Sequence, residues 1–359
     1  MADSLGNRSS RSVKSRGRYV SLQQSLAGTL LALLATAAPA LAQTVVVKMA
    51  TLVPQGSAWH TTIQEMAQDW QTSSGGKVTV RLYPGGVAGD DQDVVRKMRL
   101  GTLDAGALTA VGLADVDRSV FALAVPMLFS SYEEYDYVQE RLSPQLEKTF
   151  ADKGFVVLAW SDAGWLHFFS KSPVRTPDDL KGLKLFTWSG DTPAVELWKA
   201  AGFNPVPLPS TEISTALQTG LVSALPTTPQ AAVLLQWYTH APNMNDVNWA
   251  VLLGATVIRT TTWEKIPADL RPALLDASRK AAAKLKEQTR SGALRDIAAM
   301  EKRGLNVVHV DPPTEQLWRQ AAEAAYPRIR EVSVPAAAFD AALALRDEYR
   351  KQAAGKGAR

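Results

Sequence analysis

Apolar positions along the chain recur in two rhythms. Residues 45–50 form a near-continuous apolar run read as a buried strand, and a turn at Pro54 and Gly56 hands over to a helix covering 59–70. A second strand alternates over 78–83 and is broken by Pro84-Gly85-Gly86. A helix over 90–100 and a strand over 104–108 follow, and 121–129 is a continuous apolar run closed by Ser130-Ser131. Strands and helices alternating at this spacing predict an α/β domain with a largely parallel sheet.

The middle of the chain changes character. Segments 155–160, 165–169, 183–188 and 203–208 are short, apolar and punctuated by Gly or Pro, with helical spacing at 192–201 and 211–219. They predict a second α/β lobe. Residues 268–303 are rich in Ala, Lys, Arg and Glu and read as one long helix or two in series; 305–310 reads as a late strand. Two amphipathic helices then lead to a polar tail, 351–359. The absence of a tandem repeat or low-complexity linker predicts that the chain crosses between lobes several times. The expected division is 43–163 with about 253–290 in one lobe, and 164–252 with about 291–350 in the other.

Charge changes the picture at one end. Arg8, Arg11, Lys14, Arg16 and Arg18 face a single acid, Asp3, and a small-residue and leucine stretch over 25–42 ends Ala40-Leu41-Ala42. That order describes a secretory signal peptide over 1–42, cleaved before Gln43, and predicts a periplasmic protein. Without those five bases and one acid, the 39 basic and 35 acidic residues become 34 of each. The basic balance belongs to the export signal, which removes the argument for nucleic acid as a partner. With no cysteine, disulfides, thiolate chemistry and a lipid-modified N-terminal cysteine are excluded.

The motifs of common chemistry are missing too: no GxSxG, HExxH, P-loop or complete GxGxxG occurs. The four histidines, His60, His167, His240 and His309, lie too far apart in sequence to form a metal site by spacing. Neither an enzyme, a metal nor a cofactor is expected. Ten tryptophans are more informative, with Trp160, Trp165, Trp188, Trp237 and Trp249 falling in the second half of the pattern. Aromatics near a lobe junction pack a core or line a ligand cleft.

Four segments together resemble the periplasmic solute-binding proteins of TRAP-type (tripartite ATP-independent periplasmic) transporters. They are Gly75-Gly76-Lys77-Val78 through Tyr83-Pro84-Gly85-Gly86 with Gly101-Thr102-Leu103-Asp104, then the apolar run 121–129 with its Val125-Pro126-Met127. Ser172-Pro173-Val174-Arg175-Thr176-Pro177-Asp178-Asp179-Leu180-Lys181-Gly182-Leu183-Lys184 and Glu212-Ile213-Ser214-Thr215-Ala216-Leu217-Gln218-Thr219-Gly220 complete the set. They occur in the family's order and cover 45–230. The resemblance implies a two-lobed periplasmic binding protein fold with hinge-crossing strands and a long helix. It also implies a monomer that closes on a small-molecule solute and delivers it to TRAP-type membrane permease subunits, without catalysis.

Most members of that family hold organic acids with an Arg two residues after a Gly, and a second Arg often follows the Gly-Leu-Lys motif. Here Gly164-Trp165-Leu166 and Gly182-Leu183-Lys184-Leu185-Phe186 place Leu166 and Phe186 at those positions, and Thr227 stands where an Asn is usual. Strand alternation brings Phe168 with Leu166, and Lys184 and Trp188 with Phe186. A lost charge-assisted hydrogen bond removes roughly 1.5–3 kcal/mol, so an apolar or aromatic solute is expected first. An organic acid held by a relocated cation, from His60 or Lys184, is the second reading, and reuse of the fold for a protein partner the third. The expected site comprises Leu166, Phe186 and Trp188, the hydroxyls of Thr215 and Thr227, and Trp59, His60 and Thr109 from the first lobe.

Overall fold

The computed structural model describes residues 44–357; the export segment expected over 1–42 and the last two residues lie outside the described residues. The chain starts with β1 (Val45–Thr51), α1 (Ala58–Ser73), β2 (Val78–Tyr83), α2 (Asp91–Arg99), β3 (Ala105–Thr109), α3 (Ala110–Val116), α4 (Tyr132–Asp152) and β4 (Phe155–Trp165). Local chemistry sets the starts: the side chains of Ser57, Asp90 and Ser131 accept N–H bonds at the heads of α1, α2 and α4. The apolar run 121–129 forms no strand. It contributes to a 3-10 helix, Arg118–Leu123, and the turns after it, with Val120, Ala122, Leu123, Val125 and Leu128 all buried. A segment buried on every side looks the same in sequence whether extended or coiled.

The second lobe contains β5 (His167–Ser170), α5 (Pro177–Lys181), β6 (Lys184–Trp188), α6 (Thr192–Ala200), β7 (Asn204–Leu208), α7 (Ile213–Thr219), β8 (Ala224–Thr227), α8 (Pro229–Leu234) and β9 (Asn243–Asn245). At α5, Thr176 and Asp179 form a reciprocal capping box. The chain then returns through β10 (Val251–Arg259), α9 (Thr260–Trp263), α10 (Arg271–Glu301), β11 (Asn306–Val308), α11 (Pro312–Arg328) and α12 (Ala336–Gly357).

These strands make two sheets, ordered β2-β1-β3-β10-β4 and β11-β9-β5-β8-β6-β7. In the first, β2, β1 and β3 are parallel, whereas β10 runs antiparallel to both its neighbours. The sheet is therefore parallel only on one side, because β10 enters from the opposite lobe without a crossover helix. Apolar residues cover both faces of each sheet: Val94, Leu113 and Phe150 on one side of the first, Met49, Trp70 and Ile266 on the other.

Four segments join the lobes, one of them 329–335, which leads from α11 to α12. β4 passes into β5 at Leu166, β9 returns into β10 through 246–250, and the 31-residue α10 packs on α1, β4 and α8. At the crossing, Leu166 N–H donates to Ala250 O at 2.8 Å and Trp249 N–H donates to Leu166 O at 3.0 Å. Just before it, Gly164 has φ +85°, and a Cβ there would lie 3.1 Å from Thr289 Cγ2 on α10. Only glycine fits both that backbone and that space.

The C-terminal part departs from the expected division. α12 packs on α4 of the first lobe, with Phe339 and Ala342 in that lobe's core. Residues 336–350 therefore sit with the first lobe and not the second. The segment expected as a polar tail from 351 continues α12, where Gln352 donates to Tyr137 Oη at 2.9 Å and to Glu348 at 3.0 Å.

Candidate functional site

Between the sheets lies a cavity of about 300 Å³. Four of its wall residues, Thr51, Thr109, Trp188 and Thr227, are each the last residue of a strand (β1, β3, β6 and β8). Strand ends in an open α/β sheet present side chains beyond the sheet's own hydrogen bonds, which is where such folds place ligands. The crossing strands supply the floor through Ser161, Asp162, Leu166 and residues 252–256.

Of the eight residues expected from sequence, six line this cavity: Leu166, Phe186, Trp188, Thr227, Trp59 and Thr109. Phe186 and Trp188 meet edge to face with ring centres 4.9 Å apart. His60 and Thr215 do not line it. His60 is buried in the first turn of α1, where its Nδ1 accepts from Gly56 N–H at 3.2 Å. Thr215 is exposed on α7, and its neighbour Ser214 takes the wall position, accepting from Trp237 Nε1 at 2.9 Å. Lys184 does not swing in; it is exposed and donates to Gly220 O at 3.2 Å.

Strand alternation holds on β6 and fails at Leu166. That residue sits in the break between β4 and β5, so Phe168 turns away into a cluster with Trp249 and Trp318. Alternation cannot be carried through a residue that belongs to neither strand.

The electrostatics of the wall are simple. Among its residues none is Lys, Arg or His, and the one carboxylate is Asp162. Arg290 on α10 binds Asp162 at 2.7 Å and also grips Asp136 through both terminal nitrogens, at 2.7 and 2.8 Å. Burial pushes the Asp162 carboxyl up, and the guanidinium works against that shift. Burial would also lower Arg290, but its bonds and proximity to Asp136 and Asp162 hold it above its ordinary value. The guanidinium is thus committed behind the wall.

The polar atoms at the site are mostly engaged with protein. Trp59 Nε1 donates to Thr289 Oγ1 at 3.2 Å, which in turn donates to Gln230 Oε1 at 3.0 Å, linking α1, α10 and α8. Thr109 donates its N–H and hydroxyl to Asp91 Oδ2 at 2.8 and 2.7 Å. Asp91 is buried with its other oxygen unpartnered, and burial pushes its carboxyl up to about 7. Trp188 Nε1 is buried without a protein partner. Sequence reasoning missed Asp162 and Gln230; their signal was position, Asp162 on the crossing strand and Gln230 in the helix that follows β8.

The lobes also touch across the cleft mouth. Asp90 accepts from Ser210, and Arg118 pairs with Asp191 at 3.1 Å. A Cβ on Gly190 would overlap the side chain of Gln92, so the two lobes approach closely there. Among the described residues no helix is long and apolar enough to cross a membrane, and no group of His, Asp or Glu is placed to hold a metal.

Comparison with known proteins completes the site's context. Residues 49–332 match the bacterial extracellular solute-binding protein family 7. A solute-binding protein of Roseobacter denitrificans is 27% identical over 307 residues, 82% of this chain and 90% of the relative. The C4-dicarboxylate-binding periplasmic protein of Rhodobacter capsulatus is 28% identical over 258 residues, 70% of this chain and 75% of the relative. A TRAP periplasmic solute binding protein from Ralstonia eutropha H16, solved with bound (S)-2-acetolactate, superposes with TM-score 0.79 at 21% identity, covering 85% of this chain and 99% of that one. The galactonate complex of a sugar acid binding protein from Advenella mimigardefordensis gives TM-score 0.80 at 16% identity, covering 85% and 99%.

Proposed function

The chain belongs to the bacterial extracellular solute-binding proteins of family 7, a TRAP-type receptor and not an enzyme, and on that premise we propose that it captures a small, neutral, apolar or aromatic solute. In this reading the protein is exported, closes its lobes on the solute in the periplasm and delivers it to the TRAP-type permease.

The observation that carries the solute class is the wall itself: it contains Leu166 and Phe186, which the sequence resemblance sets where the family's arginines are expected, and no basic side chain. A carboxylate buried there without a cation faces a desolvation cost of several kcal/mol. An aromatic solute removing about 150–250 Å² from water gains roughly 4–6 kcal/mol before the costs of association are subtracted.

The acid-binding relatives favour a second reading, an organic acid held by neutral hydroxyl donors such as Thr227. A thermal-shift screen of the protein from Gln43 onward separates the two, since saturating binding raises the melting temperature by mass action. Neutral aromatics are expected to raise it. A shift confined to mono- and dicarboxylates overturns the neutral-solute reading in favour of the acid.

A further inference from the structure

Behind Leu166, Phe186 and Trp188 lies a second cavity of about 230 Å³. It shares five wall residues with the first, those three together with Pro226 and Leu252. Its far wall consists of Trp198, Trp249 and Trp318, with Trp198 and Trp249 stacked at 5.8 Å. Both lobes contribute: Phe121 and Val125 come from the first, and Thr187 from β6 of the second.

Two features separate this space from ordinary loose packing. Protein interiors have few voids larger than a water molecule, whereas a dry, apolar-walled cavity of about 150 Å³ already admits benzene. The second is the composition of the wall, where Phe121, Trp198, Phe203, Trp249 and Trp318 give it an aromatic lining. The one ionised wall residue, Asp191, is paired with Arg118. The guest is therefore uncharged.

We infer that the second cavity is a subsite for the distal ring of an elongated neutral solute whose near end occupies the first cavity. This rests on the neutral-solute reading and deepens it, since the site then selects for length as well as polarity. A solute passing the Leu166–Phe186–Trp188 divider touches both lobes on both sides of the crossing.

The test uses two ketones, acetophenone with one ring and 4-phenylacetophenone with two, titrated by tryptophan fluorescence and calorimetry. The wild-type protein is expected to bind the two-ring ketone at least tenfold more tightly. Ala194→Phe from α6 and Ala325→Phe from α11 each fill the second cavity from a different wall, and in each the two affinities are expected to converge. Equal affinities in the wild-type protein, or a two-ring advantage that survives both substitutions, overturns the subsite while leaving the neutral-solute reading intact. Failure of both ketones to bind, with a dicarboxylate binding instead, overturns both. Should either variant misfold, the wild-type comparison alone decides.

Discussion

Asp90 at the head of α2 accepts two hydrogen bonds from a single residue of the opposite lobe, Ser210: one from its N–H and one from its hydroxyl, each at 2.8 Å. Asp90 also caps α2 by accepting from Asp91 N–H at 2.9 Å. One carboxylate therefore finishes a helix and fastens the cleft. Asp90→Ala removes both roles, and charge-assisted bonds of roughly 1.5–3 kcal/mol translate to a loss of about 10–100-fold in solute affinity. The loss should reside in the dissociation rate, read by stopped-flow fluorescence, with association nearly unchanged. Ser210→Ala keeps the backbone bond and should lose less.

Leu166→Asp places a carboxylate in an apolar wall that contains no basic side chain, and Arg290, bound to the wall residue Asp162, is already committed to Asp136 and Asp162. Binding of a neutral aromatic should fall by more than about 100-fold, given a burial cost of several kcal/mol. Circular dichroism should show the fold retained. Unchanged affinity by calorimetry would remove Leu166 from the solute's contacts.

Thr289→Val cuts the chain from Trp59 through α10 to Gln230. Thr289 is 2% exposed, so the Trp59 Nε1 donor and Gln230 Oε1 acceptor lose their shared partner in a buried place. Urea unfolding should report a loss of about 1–3 kcal/mol. A valine variant as stable as the parent would contradict this account.

Asp91 predicts a pH dependence with a definite sign. Its carboxyl is raised from 3.8 to about 7 in the folded protein, chiefly by burial, so the folded state holds a proton that the unfolded state has released over that window. Its contribution to stability is fully present below about pH 4 and is lost as pH rises through 7. Asp91→Asn removes that term. The stability of the wild type relative to Asp91→Asn should therefore fall between pH 4 and 7, by up to about 4 kcal/mol. The comparison between variants is needed because His167, lowered by burial to about 4, slopes the other way in the same range. A pH-independent difference in melting free energy would contradict the assignment.

Much of this molecule was legible in its sequence, for identifiable reasons. β1, α1 and β6 carry clean periodicity or capping residues, α10 a composition rich in helix formers, and the absence of arginines at 166 and 186 needed only a reading of which residue stands where. What stayed hidden depended on the third dimension. The run 121–129 is apolar throughout and mostly buried, so its composition does not distinguish a coil from a strand. His60 carries a ring suited to a cleft, but its backbone position in the first turn of α1 commits that ring to Gly56. The side of α12 that meets α4 could not be assigned to one lobe from its own periodicity, because both lobes offer helices to pack against.

The bonds that hold Leu166 between Trp249 and Ala250 give the crossing a mechanical meaning. On the proposed function, the side chain set to touch the solute belongs to a residue of the lobe crossing itself, so contact would be made at the fulcrum and not at the end of a lever. A small misfit there shifts the lobe rims, where Asp90 and Ser210 meet, by a larger distance than at the point of contact. On that reading a solute that fits poorly at Leu166 would be rejected twice, first by its own contacts and again by a clasp that no longer reaches.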